Sequence, residues 1–130
     1  MKSNIFGESK KDTENLVEFE FDNIIINLDL ENCKSSKEEL LEKIEDAYKN
    51  RSSMYEKIAE KLVEIKNKYW QDEESDKILT KEEFIANMKL LYLIVNSKEV
   101  YMELDDGDMF SGHRIHGYFA WNLNLKKADF

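Results

Sequence analysis

Cysteine, glycine and long apolar runs are scarce in this sequence. Cys33 is the only cysteine among 130 residues, which excludes an internal disulfide and a cysteine-based metal cluster. The four glycines form no G-x-G-x-x-G loop of the kind that cradles phosphate groups. No apolar stretch approaches the ~20 residues of a membrane span, and the N-terminus lacks the apolar run of a signal peptide. We therefore expect a soluble, cytoplasmic protein that does not bind membranes.

Acidic side chains outnumber basic ones by 28 to 19, and the formal net charge is −9. This charge opposes binding to nucleic acids, because affinity for a phosphate backbone depends on Lys and Arg side chains that displace counterions. It favours a basic protein partner, toward which an acidic surface can steer association. A soluble acidic protein without such a partner fits the same composition.

The length of the chain is that of one domain of ordinary size. Residues 1–12 are polar and show no periodic pattern, so a flexible segment is predicted there. The folded domain is predicted to span residues 13–130. No internal repeat divides it.

Two stretches near the N-terminus show the alternation of β-strands. Apolar and acidic residues alternate over residues 17–21, and apolar residues alternate again over residues 24–28. Asp22 and Asn23 lie between the two stretches and suit a turn. This region is therefore predicted to be a β-hairpin.

The middle of the sequence is predicted to be helical. Apolar residues at 3-and-4 spacing run through residues 36–70, and a weak patch around Ser52 leaves one long helix or two helices open. A polar loop is predicted for residues 72–76. Thr80 and Glu83 then have the spacing of a capping box at the start of a further helix. That helix fades into "LYLIV", an apolar run that can be a buried strand.

Strand patterns close the chain. Apolar residues occupy every second position of residues 100–104 and of residues 115–125. Asp106 and Gly107 between them favour a tight turn. Strands grouped at both ends of a helical middle predict an α+β fold. In this fold the hairpin and the C-terminal strands form an antiparallel sheet, and the helices pack on one face.

Three acids, Asp105, Asp106 and Asp108, crowd the sequence "DDGDMF". Carboxylates are natural ligands of Ca²⁺ and Mg²⁺, so these residues are a candidate metal site. Their spacing differs from an EF-hand loop, which needs acids at its first, third and fifth places and glycine at its sixth. A turn whose acids point to water is the preferred interpretation, and neither a metal nor a cofactor is predicted.

The two histidines of the chain, His113 and His116, lie three residues apart. On a strand this spacing sends them to opposite faces, which is a poor geometry for a shared metal. His113 could act as a general base or could cap the turn by a hydrogen bond to the backbone, and capping is preferred. Ser111 lacks a G-x-S-x-G elbow, which disfavours a hydrolase.

The aromatic residues Phe119 and Trp121, together with Tyr69 and Trp70 at the end of the helical stretch, are interpreted as core. An exposed member of this group would instead be an anchor for a protein partner, because Trp and Tyr dominate binding energies at interfaces.

The segments "LTKEEFIANMKLLYLIV" and "ELDDGDMFSGHRI" resemble a family of small bacterial domains of unknown function. The resemblance covers residues 78–125. It implies a capped helix, a buried strand, an acidic turn and an F-x-G-H element that runs into the last strands. The motif residues it implies are Asp105, Asp106, Asp108, Phe110, Gly112 and His113. The resemblance supports the α+β order and implies no activity.

With no catalytic residue assigned, the sequence favours a protein-binding module. Such a module could be of the immunity or antitoxin type and neutralise a basic partner. The alternative is a small enzyme or divalent-metal-binding protein that uses the turn from Asp105 to His113. For that alternative, a bound metal ion would raise the melting temperature. A homo-oligomer with the long helix at its interface is a third hypothesis.

Overall fold

The computed structural model describes residues 1–70 and 78–130, and the polar loop predicted for residues 72–76 lies outside them. The described residues form nine strands and three helices. These are β1 (Lys2–Ser3), β2 (Gly7–Glu8), β3 (Lys11–Asp12), β4 (Leu16–Phe21), β5 (Ile24–Asp29), α1 (Lys37–Lys49), α2 (Arg51–Tyr69), α3 (Lys81–Asn87), β6 (Lys89–Val95), β7 (Glu99–Asp105), β8 (Arg114–Ala120) and β9 (Leu125–Asp129). None of these helices is both long and apolar enough to cross a membrane.

Strands β3 to β9 form one seven-stranded sheet in chain order, and β1 pairs with β2 in a separate hairpin. Every neighbouring pair in the large sheet is antiparallel except β5 and β6, which are parallel. A parallel pair needs a long crossover, and the helical middle of the chain supplies it. The mostly antiparallel sheet with three helices confirms the predicted α+β class.

The predicted N-terminal hairpin is confirmed as β4 and β5. Asp22 and Asn23 connect the two strands, and both have positive φ, at 52° and 61°. Positive φ at both central residues is the geometry of a type I′ turn, which Asn and Asp tolerate. Residues 1–12 contribute β1 to β3, and Phe6 packs edge-on against Tyr48 of α1. The flexibility predicted for that segment is a question of dynamics and stays a prediction.

The helical middle consists of two helices that meet at Asn50, which settles the alternatives left by the sequence. The backbone N–H of Asn50 bonds back to Asp46 and Ala47, and its side chain donates to the carbonyl oxygen of Asp46. Capping boxes begin α1 at Ser36 and α3 at Thr80. The Thr80 box was predicted from its spacing and is confirmed.

Helices α1 and α2 lie against the face of the sheet on which alternate strand residues are buried, and α3 packs against α2. The core residues of β6 to β8 are Leu90, Leu93, Val95, Val100, Met102, Leu104, Ile115 and Phe119. An irregularity at Leu91 shifts the register of β6, so that Leu90 and Leu93 both face the helices. Gly117 lets α2 approach closely, because a Cβ there would lie 2.7 Å from Cδ1 of Ile58.

Two C-terminal predictions were wrong. The alternation over residues 115–125 is not one strand, because the chain turns at residues 121–124 and returns as β9. The side chain of Asn122 accepts the N–H of Asn124 in this turn, a local bond that competes with strand pairing. The connection between β7 and β8 is the eight-residue loop 106–113 rather than a tight turn at Asp106 and Gly107.

Candidate functional site

The loop at residues 106–113 is organised around one buried carboxylate. Asp106 is 1% exposed. One of its oxygens accepts the N–H of Asp108 at 2.9 Å, and the other accepts the N–H groups of Phe110 at 2.9 Å and Gly112 at 3.1 Å. Three backbone donors therefore surround the carboxylate, which satisfies N–H groups that a closed loop leaves unpaired.

The neighbouring acids of this loop are exposed. Asp105 accepts the N–H of Gly107 at 3.1 Å. Gly107 has a φ of 56°, and a Cβ there would clash with the carbonyl oxygen of Asn87, so glycine is required. Within residues 1–70 and 78–130, no three His, Cys, Asp or Glu side chains gather in a group that could hold a metal ion.

His113 and Phe110 close the loop against an aromatic cluster. Nδ1 of His113 donates to the carbonyl oxygen of Phe110. The buried Phe110 ring stacks on Phe130 at 3.9 Å between centroids, and Trp70 meets both Phe110 and His113 edge-on. Of the residues implied by the family resemblance, Phe110 and His113 thus pack in this cluster, Asp106 lies buried within the loop, and Asp105 and Asp108 stay exposed.

The remaining aromatic residues differ in burial. Phe119 is buried, as predicted, and Trp70 and Trp121 are partly buried. The indole N–H of Trp121 donates to the carbonyl oxygen of Asn96 at 2.9 Å. Tyr69 was predicted to be core and is 69% exposed, because it points away from the sheet at the last turn of α2.

The second histidine, His116, lies on the opposite side of the sheet from the helices. We call this side the uncovered face, since none of the described helices packs on it. Two rows of side chains cross it through neighbouring strands. The rows are Glu20, Ile25, Tyr92, Glu103, His116 and Asp129, and Glu18, Asn27, Ile94, Tyr101, Tyr118 and Lys127. All of these side chains are partly or fully exposed.

A hydrogen-bonded network lies at the centre of the uncovered face. The hydroxyl of Tyr101 donates to Oε1 of Glu103 at 2.8 Å and lies 2.6 Å from Nδ1 of His116. Oε2 of Glu103 accepts from Nη1 of Arg114 at 3.3 Å. The rings of Tyr101 and His116 are stacked, and Tyr118 packs against Tyr101 at 5.2 Å between centroids.

The proton positions in this network follow from counting donors. Tyr101 has one hydroxyl proton, which goes to the Glu103 carboxylate. The bond between Tyr101 and His116 therefore needs the proton of Nδ1. A neutral His116 then carries an acceptor lone pair at Nε2, and this atom has no hydrogen bond within the described part of the chain.

The surroundings of Tyr101 keep its hydroxyl protonated. Partial burial raises the pKa of Tyr101, and the hydrogen bond to the negative Glu103 carboxylate raises the pKa further. The phenol is therefore a stable donor to Glu103 rather than a proton acceptor. Its effect is to hold the Glu103 and His116 side chains in place.

A shallow concavity of about 430 Å³ adjoins this network. It is lined by Tyr92, Ile94, Tyr101, Glu103 and Arg114. Asn27 lies beside Ile94 on the neighbouring strand. Its side-chain oxygen is buried and has no hydrogen-bond partner among the described residues. An unpaired buried acceptor costs about 1–3 kcal/mol.

Sequence reasoning selected His116 but missed the side chains that surround it. Tyr101 and Glu103 alternate with the apolar residues of β7, and Arg114 and Tyr118 alternate with those of β8. This alternation was the available signal, because it predicts one polar and aromatic face on two adjacent strands. Their pairing register could not be read from it.

Comparison with known proteins finds one family. The family model described as "Uncharacterized protein conserved in bacteria (DUF2262)" matches residues 6–130. This confirms the resemblance to a bacterial family of unknown function and extends it beyond residues 78–125. No curated protein and no solved structure matches the chain.

Proposed function

The chain belongs to this family of uncharacterised proteins conserved in bacteria, and we propose that it is a protein-binding module whose uncovered face docks a basic partner. On this proposal it neutralises its partner, as an immunity or antitoxin protein neutralises a basic toxin. The observation that carries the proposal is the group of half-buried tyrosine and isoleucine side chains in the middle of the two rows on the uncovered face.

The composition of the uncovered face supports docking of a protein. Tyr92, Tyr101 and Tyr118 account for three of the six tyrosines of the chain. They lie next to Ile25 and Ile94 in the middle strands of the sheet. Tyrosine is enriched at the centre of protein interfaces, where it combines a large apolar ring with a polar tip.

The charge and the hydrogen-bonding groups support a basic partner. The net charge of the chain is −9, and a partner of opposite charge associates faster with such a surface. At the centre of the uncovered face, the Glu103 carboxylate accepts hydrogen bonds and carries a negative charge. Lysine and arginine side chains are cationic and supply only donors, so they complement this carboxylate.

The test compares two variants with the same chemical change. Ile94→Lys places a charge in the middle of the uncovered face, whereas Ile78→Lys places it at an isoleucine that is 64% exposed and lies before α3. Proteins captured from a lysate by the tagged wild-type chain are identified, purified and titrated against each variant. We expect Ile94→Lys to weaken binding at least ~10-fold and Ile78→Lys to leave it within about twofold. Higher salt should weaken the wild-type complex, chiefly through a slower on-rate.

Thermal unfolding of each variant shows whether it is folded, and Tyr118→Ala replaces Ile94→Lys if that variant is not. A complex that tolerates both face variants, or that is insensitive to salt, would contradict the proposal. Self-association through this face would also contradict it. Light scattering would then show a mass larger than the monomer for the wild type and the monomer mass for Ile94→Lys. That result would establish the homo-oligomer in place of the basic partner.

A further inference from the structure

The Glu103 carboxylate has unused capacity at the edge of the concavity. Each of its oxygens accepts one hydrogen bond, from Tyr101 or from Arg114, and each retains a second lone pair. The side chain is only 20% exposed, so water screens its charge less than it would at an open surface. A cation that reaches this carboxylate is therefore held more strongly than at an exposed acid.

The walls of the concavity select among cations. Tyr92 of β6 is paired with Glu103 of β7, and Tyr101 of β7 is paired with Ile94. The rings of Tyr92 and Tyr101 are therefore diagonal neighbours on adjacent strands. A planar guanidinium can stack on such rings while its fork of N–H groups faces a carboxylate. An ammonium group is compact and more strongly hydrated, so it loses more by leaving water.

From this arrangement we propose that the concavity is a pocket for a guanidinium group. An arginine side chain of the docked protein occupies it, donates to Glu103 and packs on Tyr92 and Tyr101. This proposal depends on the proposed function in one respect, namely that the guanidinium group belongs to a docked protein. The pocket itself rests on the Glu103 carboxylate and on the two tyrosine rings, all of which line the concavity.

Arg114 competes for the same carboxylate. Its guanidinium bonds Glu103 through a single long contact of 3.3 Å, and its side chain is 49% exposed, so it can move into solvent. The chain thus already places one guanidinium at this position. Removing Arg114 leaves the carboxylate free for an external arginine, whereas a site for an anion would depend on Arg114.

The experiment is an NMR titration of the full ¹⁵N-labelled chain with N-acetylarginine methylamide, and with N-acetyllysine methylamide at equal ionic strength. We expect the arginine compound to shift amide signals of β6, β7 and β8 and to bind more tightly than the lysine compound. Glu103→Gln should weaken arginine binding at least ~5-fold, and Arg114→Gln should strengthen it about 2–5-fold. Glu99→Gln is the matched control, because Glu99 lies on the same strand and is also ion-paired, with Lys126.

Several outcomes would overturn the pocket. These are the absence of localised shifts, equal binding of the two compounds, or equal effects of Glu103→Gln and Glu99→Gln. Weaker arginine binding by Arg114→Gln would show that Arg114 supports the site and does not compete for the Glu103 carboxylate. Arg114→Gln changes an exposed side chain, so it remains informative if Glu103→Gln fails to fold. Arginine binding without a docked protein would refute the proposed function alone, and docking without arginine binding would refute the pocket alone.

Discussion

Tyr101 joins the groups of the uncovered face, because its single hydroxyl contacts both Glu103 and His116. No other described residue bridges these two side chains. At the scale of the residue, the consequence is that Tyr101 ties the position of an acid to the tautomer of a histidine fifteen residues away in sequence. Its protonation is therefore the property to measure.

Tyr101→Phe should make the free energy of unfolding depend less on pH in the alkaline range. The pKa of Tyr101 is raised by burial and by its bond to Glu103, so above pH ~10 the native chain holds a proton that the unfolded chain has lost. This stabilisation is complete below pH ~10 and is lost as the pH rises from there through the native pKa. The free energy of unfolding then falls by at most ~1.4 kcal/mol per pH unit, and solvent screening makes the fall smaller. Urea unfolding between about pH 8 and 11 measures this, with Tyr69→Phe as the exposed control. Equal slopes in wild type and Tyr101→Phe would contradict the raised pKa.

Asp106→Asn should destabilise the fold much more than Asp105→Asn. The Asp106 carboxylate accepts three backbone N–H groups, and an amide NH₂ in place of one oxygen would face donors. We expect the free energy of unfolding to fall by about 1–3 kcal/mol. Asp105 is exposed and accepts one bond, so its variant should stay within about 0.5 kcal/mol. Chemical denaturation measures both, and equal losses would show that the loop does not depend on the buried carboxylate.

At the scale of the element, α1 and α2 differ in how they begin. The side chain of Ser36 accepts the N–H of Glu39, and the Glu39 side chain bonds back to the N–H of Ser36. The start of α2 at Asn50 has no such side-chain cap. The capping box therefore stabilises α1 locally. Helix α2 lacks this contribution and depends on packing for its stability.

Ser36→Ala should cost about 1 kcal/mol of unfolding free energy, because it removes the capping box of α1. Ser53→Ala is the matched control, since Ser53 is exposed within α2 and alanine is the better helix former there. Thermal and chemical unfolding of the two variants measure the difference. A loss no larger in Ser36→Ala than in Ser53→Ala would mean that the box does not stabilise α1.

At the scale of the whole molecule, stability should decrease from the centre of the sheet to its edges. Strands β6 and β7 have a paired strand on each side, and their alternate residues are buried under the helices. Strand β9 is an edge strand with exposed lysines. The central strands can therefore lose their hydrogen bonds only when the whole core opens.

Native-state hydrogen exchange tests this gradient. We expect the hydrogen-bonded amides of β6 and β7 to exchange with the free energy of global unfolding and those of β9 with a smaller one. Added denaturant should bring the two values together. Exchange in β9 as slow as in β6 would show that the sheet opens as a single unit.

The α+β class, the N-terminal hairpin and the Thr80 cap could be predicted because each depends on residues close in sequence. The strand at 115–125 could not, because the local bond of Asn122 ended an alternation that otherwise continued. Of the hydrogen-bonded network on the uncovered face, only His116 was singled out from the sequence. Tyr101, Glu103 and Arg114 have the pattern of the solvent-exposed side of ordinary strands. The local sequence does not distinguish a solvated face from a face that docks a partner.

The sequence by itself determined the helices and most of the longer strands, since the periods of 3.6 and 2 and the caps are local properties. Only the tertiary structure decided that Tyr101, Glu103 and His116 meet, and that Asp106 turns inward while Asp105 and Asp108 stay exposed. The physical reason is register. A shift of one residue between β7 and β8 would exchange the two faces of a strand. The register between them depends on how the loop 106–113 closes around the Asp106 carboxylate.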